Sequence, residues 1–139
     1  MAPGSFDFDS WEEILRVNLL GAAAVAEALL DNVAASERRT IAMMSSRLGS
    51  ITESSGMTLP YATSKAALNM LVKGLAATLA DRGIIVVALS PGWVRTDMGG
   101  DQAPLAPGKS VAGLRKVIAG LKKSDSGRFL SYDGAQIPW

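Results

Sequence analysis

The 139-residue chain contains no cysteine and no histidine. Without cysteine there is no disulfide framework, no thiolate nucleophile and no cysteine-based metal site. Without histidine the commonest general base and metal ligand is missing, so a Ser-His-Asp hydrolase is excluded and no metal centre is expected. Acid–base chemistry must fall to Tyr, Lys, Asp or Glu. Neither sign of charge is in excess: 14 basic residues face 13 acidic ones, for a net charge of +1. That balance leaves no electrostatic footprint for nucleic acid or an anionic membrane. Long apolar runs are also missing. The most apolar stretch, residues 19–30, is interrupted by Glu27 and is too short to span a bilayer. Residues 1–10 are acidic and lack the apolar centre of a signal peptide, which makes a cytoplasmic location the expectation.

Apolar residues make up 48% of the chain, enough to argue against disorder and for a well-buried α/β protein. The length suits one domain, residues 1–139, and no break in composition marks a second.

Tyr61-Ala-Thr-Ser-Lys65 carries the most chemistry. On a helix, positions i and i+4 share a face, which puts the Lys65 ammonium near the Tyr61 phenol. A phenol ordinarily ionises near pH ~10, and a neighbouring positive charge favours its ionised form. The pair is therefore a candidate proton-transfer device, with Ser46, upstream, placed to orient a carbonyl beside it. Taken alone, the spacing reads equally well as a tyrosine at a helix start and a solvated lysine.

Hydrophobic patterning supplies the context. Ser10 followed by Glu13 predicts a capped helix running to about Asn32. Within it Asn18 falls on the stripe Ile14, Gly21, Val25 and Leu29, facing protein, where its amide needs partners. A purely structural asparagine fits there too. Residues 40–46 read as a buried strand and residues 47–60 as a loop. Pro60 opens a helix with the stripe Leu68, Leu71, Val72, Leu75 and Leu79, and Gly83 stops it. Residues 84–89 form the strongest strand signal, bounded by Gly83 and Pro91. Strand, helix, strand predicts a parallel pair. A Gly- and Pro-rich loop follows over residues 91–109, of a length typical of lids and binding segments. Ser110 then caps a further helix, and residues 128–132 make a last strand. In open α/β sheets ligands bind at the carboxyl ends of the strands. Ser46, Pro91-Gly92 and the start of the Tyr61 helix all converge there.

Taken together, these residues resemble the short-chain dehydrogenase/reductase family over essentially the whole chain. Val17-Asn18 sits in the helix that carries the family's active-site asparagine. Ser45-Ser46-Arg47-Leu48-Gly49 resembles its strand-end serine motif, and the glycine three residues on makes Ser46, rather than Ser45, the catalytic candidate. Tyr61 and Lys65 match its Tyr-x-x-x-Lys, and Pro91-Gly92-Trp93-Val94-Arg95-Thr96 resembles its Pro-Gly-x-Val-x-Thr segment. The run at 64–69, residues 96–100 and the Ile-Pro-Trp end look most like the C-factor/sniffer-type carbonyl reductases.

The resemblance implies a partial Rossmann-like, doubly wound parallel sheet of three strands with flanking helices. It implies NADP(H) or NAD(H) as cofactor and a small ketone, aldehyde or alcohol as substrate. Tyr61 is then the acid/base, Lys65 favours its ionised form and bonds the nicotinamide ribose, and Ser46 donates to the substrate oxygen. Asn18 holds a water linking Lys65 to solvent. Pro91, Gly92, Val94 and Thr96 hold the nicotinamide, while Trp93 and Met98 either shape the substrate pocket or pack against their loop. Homo-oligomers through helices 10–32 and 60–81 are expected. The chain departs from the family in having no Gly-x-x-x-Gly-x-Gly turn and no first βαβ half, where the pyrophosphate would sit. Exposed helix faces and marginal stability or association follow. The alternative is a truncated, inactive fragment retained as an interaction or dimerisation module.

Overall fold

Asp7, not Ser10, starts the first helix. Its carboxylate accepts from the Ser10 amide at 3.1 Å, which satisfies one of the free donors of the first turn. The computed structural model describes residues 3–139; Met1 and Ala2, included in the single-domain reading, lie outside the described residues. From Asp7 the chain is helical to Ala35. It runs through α1 (Phe8–Leu15), a π-helical turn (Arg16–Gly21), α2 (Ala22–Ala28) and, after a break at Leu29, α3 (Leu30–Ala35). The π turn alters which residues face inward. A strictly α-helical stripe continues from Ile14 and Asn18 to Gly21, Val25 and Leu29, yet Val25 and Leu29 are exposed. The widened turn advances the stripe by a residue, so Ala22, Ala26, Leu30 and Val33 pack on the core instead.

Three strands follow: β1 (Thr40–Met44), β2 (Ile85–Ser90) and β3 (Phe129–Ser131). They lie parallel in the order β1-β2-β3, with Ile41 beside Val86, Met43 beside Ala88 and Leu89 beside Leu130. Between β1 and β2 runs α4 (Leu59–Thr78), opened by Pro60 and ended by a 3-10 turn at Ala80–Arg82. Gly83 leaves that turn with φ +68°, the left-handed conformation that suits glycine. Helix α5 (Pro107–Gly120) links β2 to β3 and begins three residues before the expected Ser110. Ser110 instead lies in the first turn and donates to the Pro91 carbonyl at 2.7 Å, fastening the loop after β2 to the helix.

The sheet separates two cores. Val86, Ala88, Met43 and Phe129 pack with Leu68, Val72 and Ala76 of α4. Ile85, Val87, Leu89 and Leu130 pack with Leu114 of α5 on the opposite face. Because the strands run parallel and in order while α4 and α5 lie on opposite faces, the two crossovers have opposite hands. One of them therefore departs from the right-handed rule.

Burial is uneven. All six residues of β2 are buried, whereas no residue of α1, the π turn, α2 or α3 is. Among the described residues β1 pairs on one side only, and Met44 is 47% exposed. No helix among the described residues is long and apolar enough to cross a membrane.

Candidate active site

The strand ends place the candidate residues. Ser46 lies two residues beyond β1 and caps a 3-10 turn at Arg47–Gly49, its hydroxyl accepting from the Leu48 amide at 3.2 Å. The hydroxyl's own proton stays available for another acceptor. Gly49 is required in this turn. A Cβ there would fall 2.8 Å from the backbone carbon of Lys65, so the turn rests directly on α4.

Tyr61 and Lys65 lie in the first two turns of α4, and both are half-buried. The Lys65 ammonium sits 5.6 Å from the Tyr61 ring centre. It also donates to the Met44 carbonyl at 3.0 Å, on the last residue of β1. Burial holds its pKa below the ordinary lysine value. A lysine ammonium carries three donors, and this bond uses one.

Asn18 belongs to the same cluster through the π turn. Its Nδ2 donates to the Ser64 hydroxyl at 3.0 Å, and Ser64 in turn donates to the Tyr61 carbonyl at 2.7 Å. Ser64 is fully buried and was not among the expected site residues. Its position three residues after Tyr61 was the one available signal.

The loop after β2 is more ordered than its composition suggested. Residues 94 and 105 form a short bridge, and the Arg95 amide donates to the Leu105 carbonyl at 2.9 Å. Gly92 adopts φ +82°, and a Cβ there would meet the Tyr132 ring at 2.9 Å. Pro91, Val94 and Thr96 share this loop, with the Thr96 hydroxyl accepting from the Gly99 amide at 3.1 Å. Trp93 donates its indole N–H to the Gly99 carbonyl at 2.8 Å and is otherwise exposed, as is Met98. No group of three or more metal-binding side chains occurs among the described residues.

The short chain dehydrogenase family model matches residues 3–104, spanning the π turn, the serine turn, Tyr61, Lys65 and most of the loop after β2. The chain belongs to the short chain dehydrogenase family. C-signal of Myxococcus xanthus is 40% identical over 139 residues, covering 99% of this chain and 84% of that protein. The carbonyl reductase Sniffer of D. melanogaster superposes with a TM-score of 0.94 at 32% identity, covering all of this chain and 61% of that one. An NADPH-bound carbonyl reductase from chicken fatty liver superposes with a TM-score of 0.92 at 32% identity, again over 61% of its length. The chain thus spans about three fifths of the reductases it matches.

The residues of this short chain dehydrogenase fit one end of a nicotinamide cofactor. Lys65 has donors to spare for ribose hydroxyls, and the loop from Pro91 to Thr96 lies beyond the carboxyl end of β2. For the pyrophosphate end, the described residues contain no glycine-rich strand-to-helix turn.

Proposed function

We propose that this chain carries the catalytic half of an NAD(P)-dependent oxidoreductase that interconverts a small ketone or aldehyde with its alcohol. The whole chain is read as one domain, the C-terminal half of the family's fold, working in the cytoplasm. The observation that carries the reading is the Lys65 bridge. The ammonium lies beside the Tyr61 ring and bonds the end of β1, next to the turn that holds Ser46.

A bound nicotinamide supplies or accepts the hydride. The chain's own residues do the rest. Ser46 donates its free O–H to the substrate oxygen, where negative charge grows during reduction. Tyr61 delivers its phenolic proton to that oxygen, or removes it in the reverse direction. The Lys65 ammonium lies beside the Tyr61 ring, 5.6 Å from its centre. Lys65 also offers its remaining donors to ribose hydroxyls, and Pro91, Gly92, Val94 and Thr96 line the nicotinamide side. Asn18 tethers Ser64 and through it the Tyr61 turn; a water linking Lys65 to solvent completes its assigned role. Trp93 and Met98, exposed on the loop, meet the substrate. Kinetics of Tyr61→Phe test this reading. Turnover should fall at least ~100-fold with cofactor affinity nearly unchanged; a variant as fast as the parent ends it.

A second reading has its own support. The helical stretch from Phe8 to Ala35 has no buried residue, and β1 leaves one edge open among the described residues. Those surfaces suit an inactive module that associates through helices 10–32 and 60–81 with a second copy. A folded, self-associating chain with no affinity for NADPH or NADH would favour this reading.

A further inference from the structure

Asn69 lies one helical turn beyond Lys65 on α4 and is 4% exposed. Its carboxamide works in two directions. The Ser45 hydroxyl donates to Asn69 Oδ1 at 2.6 Å, and Asn69 Nδ2 donates to the Gly49 carbonyl at 3.2 Å. These contacts bracket Ser46: one residue before it and three residues after it are tied to the same side chain. Between them the turn closes on itself, the Gly49 amide donating to the Ser46 carbonyl at 2.8 Å.

The clamp has a depth stop. Gly49 sits against the Lys65 backbone with no room for a Cβ, so the turn is pulled onto α4 by Asn69 and halted there by helix backbone. A primary amide of this length accepts from Ser45 and donates to Gly49 at once, which an ionised carboxylate cannot do. Aspartate would keep the first bond but set a carboxylate against the Gly49 carbonyl. An aliphatic residue would leave two buried polar groups unsatisfied.

We infer that Asn69 is a positioning residue, which locks the Ser46 turn at a fixed distance from the helix bearing Tyr61 and Lys65. The inference rests on the proposed oxidoreductase reading for its catalytic consequence, but the clamp itself is independent of it. Asn69 is buried beneath the turn and acts through Ser46.

The test compares the parent chain with Asn69→Asp, Asn69→Ala and the milder Ser45→Ala. Amide hydrogen exchange is followed at Leu48, Gly49 and Ser50, with Val72 in the middle of α4 as the internal reference. Protection at the turn should drop about tenfold or more in both Asn69 variants and less in Ser45→Ala, with Val72 unchanged. With NADPH and 4-nitrobenzaldehyde as probes, kcat should fall about 10- to 100-fold while the KM for NADPH stays put. Parental protection at the turn in both Asn69 variants would overturn the clamp. Lost protection with parental kcat would overturn its positioning role. A parent chain with no turnover on any carbonyl would count against the oxidoreductase reading, and the exchange data would still decide the clamp. Should Asn69→Ala fail to fold, Ser45→Ala and Asn69→Asp carry the comparison.

Discussion

Half-burial of Lys65 beside the end of β1 has a measurable sign. Its pKa in the folded chain is lowered from 10.5, chiefly because burial disfavours the ammonium. Well below the folded value the lysine is charged in both states, and folding bears the cost of burying that charge. As pH rises through the folded value toward 10.5, the folded chain has released a proton that the unfolded chain still holds, so stability contributed at this site increases. Thermal melts of the parent and Lys65→Met should therefore diverge with pH. The parent should gain relative to the variant between neutral pH and the unfolded value; a constant or shrinking difference would contradict the burial argument. Gly49→Ala drives a methyl into the Lys65 backbone and should cost about 1–3 kcal/mol by denaturant unfolding. A neutral effect would mean that the turn does not rest on the helix as described.

Among the elements, the segment after β3 ties distant parts of the fold together. Ile137 is buried and its amide donates to the Phe129 carbonyl at 2.8 Å. The Trp139 ring stacks on Phe129 at 5.5 Å, and its carbonyl accepts from the Thr52 amide at 2.9 Å and hydroxyl at 2.7 Å. The loop that follows the Ser46 turn is thus moored to the far end of the chain. Phe129→Ala should cost about 3–5 kcal/mol in chemical denaturation, since it empties a fully buried site and removes the stacking surface. A loss under 1 kcal/mol would contradict this packing.

Much of this arrangement was legible in the sequence. The β-branched run of β2, the Pro60 start and the Gly83 stop each depend on local preferences that tertiary structure left intact. Tyr61 and Lys65 were legible because a four-residue spacing on a helix fixes a shared face. The π turn was not legible, because one widened turn leaves composition unchanged while moving the inward stripe from Gly21, Val25 and Leu29 to Ala22, Ala26 and Leu30. Ser64 and Asn69 were missed for a different reason. A small polar residue on an apolar helix carries no sign of whether it is solvated or holds a buried bond, and only the packed neighbours decide that.

Across the whole molecule, uneven burial leaves apolar surface open. Apolar residues of α1 through α3 and the adjoining face of α4 lie open, with Val17 64% exposed, Leu20 59% and Met70 72%. A groove of about 500 Å³ runs between them beside β1, lined by Leu20, Ala23, Leu30, Ile41, Leu71 and Leu75. Such a surface favours association. The proposed homo-oligomer predicts a concentration-dependent sedimentation coefficient that Leu20→Glu with Met70→Glu reduces to that of a monomer. A parent that sediments as a monomer at every concentration would contradict the oligomer. Among the described residues only the nicotinamide end of the cofactor has candidate partners, so NADPH should bind this chain weakly.

NADPH titration of the isotope-labelled chain, followed by amide chemical shifts, decides whether the Lys65 cluster receives the nicotinamide. Saturable shifts should be confined to residues 44–46, 61–65 and 91–96 and be diminished by Lys65→Met. A folded chain whose shifts do not respond, or respond only elsewhere, would contradict that binding.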